Sequence, residues 1–138
     1  MVLVDTCVWS LGLRRAPRRL DAAQRKLADE LREMVREGRA ALTGPIRQEI
    51  LSGMRDEVTF ERVRDRLRPF PDVPLDSEDY ERAARFFNQC RAKGITGSPT
   101  DVLICAVAVR HNLPIFTIDR DFRRFAGHLP IRLHVAGR

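Results

Sequence analysis

The sequence predicts an α/β protein with a central, mostly parallel sheet flanked by helices on both faces. Short apolar runs, such as residues 2–4 and 115–118, alternate with longer segments of helical periodicity. A strand that is apolar at every position is typical of a parallel sheet, because such a sheet is buried on both faces. The chain has 138 residues, 43% of them hydrophobic, and shows neither an internal repeat nor a linker. We therefore expect residues 1–138 to form a single domain.

The first third of the chain predicts two strands and two helices. Residues 2–4 form a buried strand, and residues 6–12 form a short helix that ends at Gly12. Asp21 caps a long helix that reaches about residue 37, where Gly38 stops it. Residues 40–43 form a second, weak strand.

The middle of the chain is predicted to be mainly helical. Pro45 begins a helix that runs to about residue 54, and an amphipathic helix follows over residues 58–67. A short edge strand is expected near Val73 among prolines. Asp76 or Ser77 then caps a helix to about residue 92, whose predicted inner stripe is Tyr80, Ala83, Ala84, Phe87 and Cys90.

The last third of the chain begins with a buried helix that Asp101 leads. The eight residues after Asp101 are all apolar, and a helix that is apolar all round is a buried one. Asn112 and Pro114 end it. Residues 115–118 then predict a strand, residues 121–125 a short helix, and residues 131–135 a last strand.

The composition favours a polyanionic partner. The formal net charge is +6, and all but two of the 25 basic residues are arginine. Guanidinium forks bind phosphate through two hydrogen bonds, which makes RNA or DNA a reasonable partner. An arginine-favouring codon usage would explain the same bias.

The cysteines indicate neither a disulfide framework nor a zinc site. Cys7, Cys90 and Cys105 are scattered, and no Cys-x-x-Cys pair occurs. Reduced thiols are typical of a cytoplasmic protein. The start of the chain does not resemble a signal peptide, and no apolar run approaches the roughly 20 residues that span a bilayer, so no membrane partner is expected.

Four acidic residues fall where strands end or where helices begin or face inward: Asp5, Glu49, Asp101 and Asp119. Asp5 and Asp119 follow predicted strands directly, and ligands of open parallel sheets bind beyond the carboxyl ends of the strands. Glu49 lies beside a core-facing stripe, next to the space that Gly53 leaves. Clustered carboxylates suit Mg²⁺, which can activate water for phosphodiester hydrolysis.

Each of these acids also has a purely structural interpretation. Asp5 and Asp119 could cap the helices that follow them. Asp101 could cap its helix, or Thr100 could do so while Asp101 favours the helix dipole. Glu49 could lie on a solvated face. Asp121, two residues after Asp119, is as well explained as a helix start as it is as a ligand.

Other catalytic chemistries lack support in the sequence. No Ser or Cys is evidently paired with a His, and the three histidines do not show the His-Glu-x-x-His spacing of zinc proteases. No glycine-rich phosphate loop is present, so nucleoside triphosphate binding is not expected.

At these acids the chain resembles the PIN-domain ribonucleases, and most of all the VapC-like toxins of bacterial toxin–antitoxin pairs. The matching motifs are Val-Asp-Thr-Cys-Val-Trp at residues 4–9, Glu-Ile-Leu-Ser-Gly at 49–53, Asp-Val-Leu-Ile-Cys-Ala at 101–106 and Thr-Ile-Asp-Arg-Asp-Phe at 117–122. Each motif is weak alone, but their order and spacing cover nearly the whole chain.

The resemblance implies a PIN fold and a metal-dependent endoribonuclease that uses Mg²⁺ or Mn²⁺. It implies a catalytic quartet of Asp5, Glu49, Asp101 and Asp119, with Asp121 as an extra metal ligand beside the three aspartates. It also implies a homodimer and a cognate antitoxin whose tail enters the acidic groove. The chain departs from the family at Cys7, where Ser or Asn is usual, and a thiol is a poorer hydrogen-bond donor.

We expect Asp5, Asp101 and Asp119 to bind the metal and Glu49 to orient the attacking water. Thr117 and Cys7 would order the site from behind, although a buried strand threonine needs no such role. Arginines near the acidic edge are candidates for holding RNA, or else an ordinary solvated surface: Arg14, Arg15, Arg18, Arg19, Arg123 and Arg124.

The sequence leaves two other functions open. A PIN-like module could bind RNA or protein without cutting, but it would have no physical need for four converging acids. Another Mg²⁺-dependent phosphoryl hydrolase is the second alternative. An aspartyl-phosphate phosphatase would carry a second Asp two residues after the first, where this chain has Cys7.

Overall fold

A three-stranded parallel sheet in the order β2-β1-β3 forms the centre of the structure, a computed structural model that describes residues 1–13 and 19–135. The strands are β1 (Val2–Val4), β2 (Ala40–Ala41) and β3 (Ile115–Phe116). Leu3 of β1 is paired with a residue of each neighbouring strand. All seven strand residues are buried. The predicted α/β class and parallel sheet are therefore confirmed.

The sheet is shorter than the sequence predicts. Beyond the three strands, single parallel bridges join Leu42 to Asp72 and Ile115 to Leu133. The expected strand over residues 131–135 is reduced to the second bridge. The strand that begins at Ile115 ends at Phe116. The backbone N–H of Asp5 donates to the Phe116 carbonyl at 2.9 Å, and β1 has no further residue to pair with beyond that point.

Seven helices surround the sheet in the described part of the chain, and the caps predicted at Asp21 and Asp76 are confirmed. Asp21, Thr43, Asp56, Asp76 and Ser98 each accept a backbone N–H from the first turn that follows. None of these helices is long and apolar enough to cross a membrane. They are α1 (Thr6–Leu13), α2 (Ala22–Arg36), α3 (Gly44–Ser52), α4 (Glu57–Leu67), α5 (Ser77–Ala92), α6 (Pro99–Arg110) and α7 (Asp121–Ala126).

Two details of the predicted helices are wrong. Helix α1 continues through Gly12 to Leu13, and Gly12 instead makes room for α2, since a Cβ there would lie 2.8 Å from Leu31 Cδ2. The inner face of α5 carries Ala83, Phe86 and Cys90, whereas Tyr80 and Ala84 are exposed.

The rotation of α5 follows from an ion pair that no helical pattern reveals. Asp79 is buried and lies 2.8 Å from Nη2 of Arg110 at the end of α6. Nη1 of the same arginine lies 3.1 Å from Asp76. Because a buried carboxylate needs a partner, this pair turns Asp79 inward and moves Tyr80 towards solvent.

Helix α6 forms the centre of the core and carries the third predicted acid. Its residues from Val102 to Ala108 are all buried, as the apolar run predicts, and α5 packs along it. The loop before α6 contacts α7 through Gly97. A Cβ at Gly97 would lie 2.4 Å from Cζ of the buried Phe125. This close approach brings the start of α6 next to the helix that follows Asp119.

We predict that Gly97→Ala destabilises the protein by about 1–3 kcal/mol, because overpacking a fixed aromatic ring forces a backbone shift. Thermal or urea unfolding would measure it. Gly53→Ala is the control, since its Cβ would meet only Ile50 O at 3.5 Å and Glu49 O at 4.0 Å. An unfolding midpoint of Gly97→Ala equal to that of the control would contradict the proposed packing.

Candidate metal centre

Asp5 is a buried carboxylate at the carboxyl end of β1, only 6% exposed. Its Oδ1 accepts the backbone N–H of Thr6 at 2.8 Å. Its Oδ2 accepts the hydroxyl of Thr117 at 2.8 Å and the thiol of Cys7 at 3.5 Å. Three donors therefore compensate the cost of burying this group.

Thr117 connects Asp5 to the second strand end. While its hydroxyl donates to Asp5, its Oγ1 accepts the backbone N–H of Asp119 at 3.0 Å. Asp119 Oδ1 in turn accepts the N–H of Asp121 at 2.9 Å. One continuous set of hydrogen bonds thus fixes the turn that carries both acids.

Asp101 enters the site from the first turn of α6. Ser98, rather than Thr100 or Asp101, caps this helix, and Asp101 completes the capping box. Its Oδ2 accepts the Ser98 N–H over a long 3.4 Å. Carboxylate oxygens of Asp101, Asp119 and Asp121 lie within 4.8 Å of one another, so the acid that the sequence supports least belongs to this trio.

Glu49 lies at the rim of the site rather than facing inward. It is exposed on α3, because the buried stripe of that helix is Ile46 and Ile50. Its Oε1 accepts the hydroxyl of Thr6 at 3.1 Å. Sequence reasoning missed this role of Thr6, although its position directly after Asp5 was a signal.

A polar crevice of about 460 Å³ opens beside Glu49. It is lined by Thr6 from α1, by Thr100 from α6 and by a run of α3 residues with its C-cap. The α3 contribution consists of Pro45, Gln48, Glu49, Ser52 and Gly53. Of the acids at the site, Glu49 lines this crevice, and Thr100 of the lining directly precedes Asp101.

The acids influence one another. Burial raises the pKa of Asp101, and the charges of Asp5 and Asp119 raise it further against the hydrogen bonds from Ser98. Burial also raises the pKa of Glu49, where Thr6 opposes the shift and the charges of Asp5 and Asp101 add to it. The charges of the four acids expected to act together are therefore coupled.

The direction of these pKa shifts shows that ionising the site lowers the stability of the folded protein. Both carboxyls have a folded-state pKa above the ordinary 3.8 of Asp and 4.5 of Glu, so the native protein binds their protons more readily than the unfolded chain. Their contribution to stability is therefore complete below the ordinary values and is lost as the pH rises through the raised ones. A bound cation would remove this cost.

The donors in this cluster fit a hard divalent cation. Three carboxylates within reach of one another supply the oxygen ligands that Mg²⁺ and Mn²⁺ prefer. Cys7 adds no soft ligand here: burial and the Asp5 charge raise the pKa of its thiol, which remains a protonated donor to Asp5.

The candidate RNA-binding arginines are only partly described. Arg123 and Arg124 are exposed on α7 and Arg19 is exposed before α2, and none makes an ion pair within the described residues. Arg14, Arg15 and Arg18 lie outside that part of the chain. Arg120, which the sequence analysis did not single out, is likewise exposed between Asp119 and Asp121.

Sequence comparisons identify the family of the chain. The family model for the PIN domain matches residues 2–128. The chain is 33% identical over 126 residues to a VapC ribonuclease of Mycobacterium bovis, covering 88% of this chain and 89% of that protein. Ribonuclease VapC11 of Mycobacterium tuberculosis matches to the same extent.

Solved structures show the same fold. FitAcB from Neisseria gonorrhoeae aligns with a TM-score of 0.76 at 20% identity, over 99% of this chain and 98% of that chain. VapBC2 from Rickettsia felis, bound to a DNA fragment from their promoter, aligns with a TM-score of 0.73 at 15% identity, over 97% and 98%. The resemblance noted in the sequence is therefore confirmed, and the chain belongs to the PIN-domain family.

Proposed function

We propose that this protein is the metal-dependent endoribonuclease toxin of a toxin–antitoxin pair. The observation that carries the proposal is the convergence of acids from separate elements. Asp101 at the start of α6 lies within 4.8 Å of Asp119 after β3, and Thr117 links Asp5 after β1 to the same turn. The relatives at 33% identity are named as ribonucleases. A single PIN domain over residues 1–138 is supported by the family match to residues 2–128.

Asp101, Asp119 and Asp121 would hold Mg²⁺ or Mn²⁺, and Asp5 would support them from the turn to which Thr117 links it. Such a cation supplies an acidified water and offsets the charge that builds on the phosphoryl oxygens. Thr117 and Cys7 would keep the Asp5 carboxylate in place through their hydrogen bonds. These hydrogen bonds fix the orientation of Asp5, as a ligand or as the partner of a bound water.

Glu49 would receive the proton of the attacking water. Its raised pKa brings it closer to the pH at which the enzyme works, and this improves a general base. The hydroxyl of Thr6 fixes one carboxylate oxygen, which leaves the other free to face the crevice. An exposed Glu49 is suited to this role, because water and RNA must both reach it.

The exposed arginines of α7 would hold the RNA backbone beside the acids. Arg123 and Arg124 follow the metal-binding turn, and Arg19 precedes α2. Phosphate contacts of this kind position the strand and weaken with salt. The three cysteines are free thiols, which supports a reducing, cytoplasmic location where RNA is available.

A groove between α1, α2 and α4 would bind the cognate antitoxin. It has a volume of about 230 Å³ and is walled by apolar side chains of α1, α2 and α4, including Trp9, Leu13, Val35 and Leu67. Trp9 Nε1 is buried there without an acceptor in the described structure. An antitoxin segment would bring apolar side chains and a carbonyl for that donor.

An antitoxin arginine would supply inhibition at a second place. A guanidinium fork matches paired carboxylates and would occupy the position of the cation among Asp101, Asp119 and Asp121. The groove would then provide affinity and the arginine would provide inhibition.

A second copy of the chain would cover an apolar face next to the crevice beside Glu49. This face is a crevice of about 530 Å³ between α3, α5 and α6, and it includes Phe87 and the exposed Tyr80. A solvent-facing tyrosine next to apolar surface is typical of an interface. The homodimer would bury the tyrosine that the Asp79–Arg110 pair leaves exposed.

Mn²⁺ should raise the thermal unfolding midpoint of the wild type relative to EDTA at neutral pH, because a ligand of the native state stabilises it. Asp119→Asn should lose most of this shift. Asp121→Asn should lose less, because the backbone of Asp119, unlike that of Asp121, is held by the Thr117 hydroxyl that also fixes Asp5. Differential scanning calorimetry measures both.

Asp101→Asn tests the electrostatic cost at the same site. In EDTA its midpoint should exceed that of the wild type at neutral pH, and the difference should vanish as the pH falls through the raised pKa of Asp101. Asp29→Asn, an exposed acid on α2, is the control. A wild-type unfolding midpoint that does not change when Mn²⁺ is added would rule out a preformed cation site.

Asp5→Asn, Asp101→Asn and Asp119→Asn should each reduce RNA cleavage at least about 100-fold, because each removes transition-state stabilisation of several kcal/mol. Purified proteins are incubated with RNA and Mn²⁺, and the new RNA ends are mapped. Asp29→Asn should cleave as the wild type does. Cleavage retained by all three site variants would refute the assignment of the acids.

Val35→Asp should weaken binding of the cognate antitoxin by at least about 10-fold, because the partner would have to bury an unpaired carboxylate. Isothermal titration calorimetry measures the dissociation constant. Val58→Asp is the matched control, an exposed valine of α4 outside the groove. Equal binding by both variants would place the antitoxin elsewhere.

An antitoxin that lacks its arginine should still bind this protein but inhibit it less.

A further inference from the structure

The crevice beside Glu49 presents side chains that the proposed metal chemistry does not use. Gln48, Ser52 and Thr100 line it together with Thr6 and Glu49. Thr6 is engaged with Glu49, but Gln48, Ser52 and Thr100 make no side-chain hydrogen bond within the described part of the protein. Three polar side chains with unused hydrogen-bonding capacity therefore surround one opening.

The charge of the crevice excludes the RNA backbone as its occupant. None of its described lining residues is basic, and its only charged group is the carboxylate of Glu49. A phosphate would meet repulsion there and find no cation to compensate it. The crevice suits a neutral, polar and flat group instead, and Pro45 adds an apolar wall against which such a group can lie.

The position of the crevice connects it to the reaction. Glu49 belongs both to its lining and to the acid cluster, where Asp5 and Asp101 act on its charge. Thr100 directly precedes Asp101 on α6. A group bound in the crevice would therefore lie beside Glu49 and next to the helix start that carries Asp101.

We propose that this crevice reads one nucleobase of single-stranded RNA, next to the cleaved phosphodiester bond, through Gln48, Ser52 and Thr100. The inference rests on the proposed ribonuclease function and adds sequence preference to it. A glutamine amide offers a donor and an acceptor side by side, and each hydroxyl can donate or accept. Such groups match the edges of an unstacked base, which is how proteins read single-stranded RNA. The volume of about 460 Å³ lies in the usual range for binding sites of small ligands.

The test compares cleavage-site preference rather than rate alone. Wild type, Gln48→Met, Ser52→Ala and Thr100→Val cut a pool of RNAs with randomised sequence, and sequencing of the ends gives the base preference at each position. Gln48→Met keeps the length of the side chain and removes its hydrogen bonds. It should reduce the discrimination at one position next to the cut by roughly tenfold. Gln89→Met, on the exposed side of α5, should leave the preference unchanged.

The design separates this inference from the function on which it rests. A wild type that cuts no RNA would remove the ribonuclease function itself. A wild type that cuts, together with variants that keep its base preference at every position, would overturn the base-reading crevice alone, even if their rates fell uniformly.

The dimer face requires one further control. Gln48 and Thr100 also border the apolar crevice at Tyr80, whereas Ser52 does not. Light scattering therefore reports the oligomeric state of each variant. If Gln48→Met changes that state, Ser52→Ala decides: a preference altered at one position supports the inference, and an unaltered preference overturns it.

Discussion

The hydrogen bond from Thr117 to Asp5 is the contact on which the arrangement of the acids depends. Asp5 is almost fully buried, and a buried carboxylate is tolerated only when donors surround it. Thr117 supplies one of these donors over 2.8 Å and holds the backbone of Asp119 with the same oxygen. A single side chain thus fixes the ends of two parallel strands to each other. Since α6 places Asp101 opposite them, the convergence of the acids follows from this link.

The ionised carboxylates of the site lower the stability of the fold that carries them. Burial and mutual repulsion raise the pKa of Asp101 and Glu49, so their ionisation at neutral pH costs free energy. The compensation lies in the apolar interior: α6 is buried along most of its length, and Arg110 fixes its far end to the start of α5. The helix that presents Asp101 is therefore among the most firmly held elements. A site that develops repulsion needs such a rigid support, because a looser helix would move its carboxylate away.

The sequence predicted those features that depend on local pattern. Strand β1, helix α2 with its cap at Asp21, and the buried α6 follow from apolar spacing and capping residues, and the acids were found because strand ends are predictable. Features that depend on tertiary partners were wrong or missed. The length of β3 depends on where β1 stops pairing, and the face of α5 depends on the Asp79–Arg110 pair. No local pattern contains that information.

The attraction of RNA, the binding of a cation and the binding of an antitoxin would fall to three different regions around α1. The chain carries a net charge of +6, yet its site is a cluster of acids that repels phosphate. Exposed arginines such as Arg123 would attract RNA from outside, while a cation would be needed before a phosphodiester could approach the carboxylates. Helix α1 begins at this site with Thr6, which holds Glu49, and continues into the apolar groove with Trp9 and Leu13. An antitoxin in that groove would contact the same rigid helix that orders the acids. A short inhibitory segment would then suffice to span the distance from the groove to the carboxylates, because one helix of eight residues joins both places.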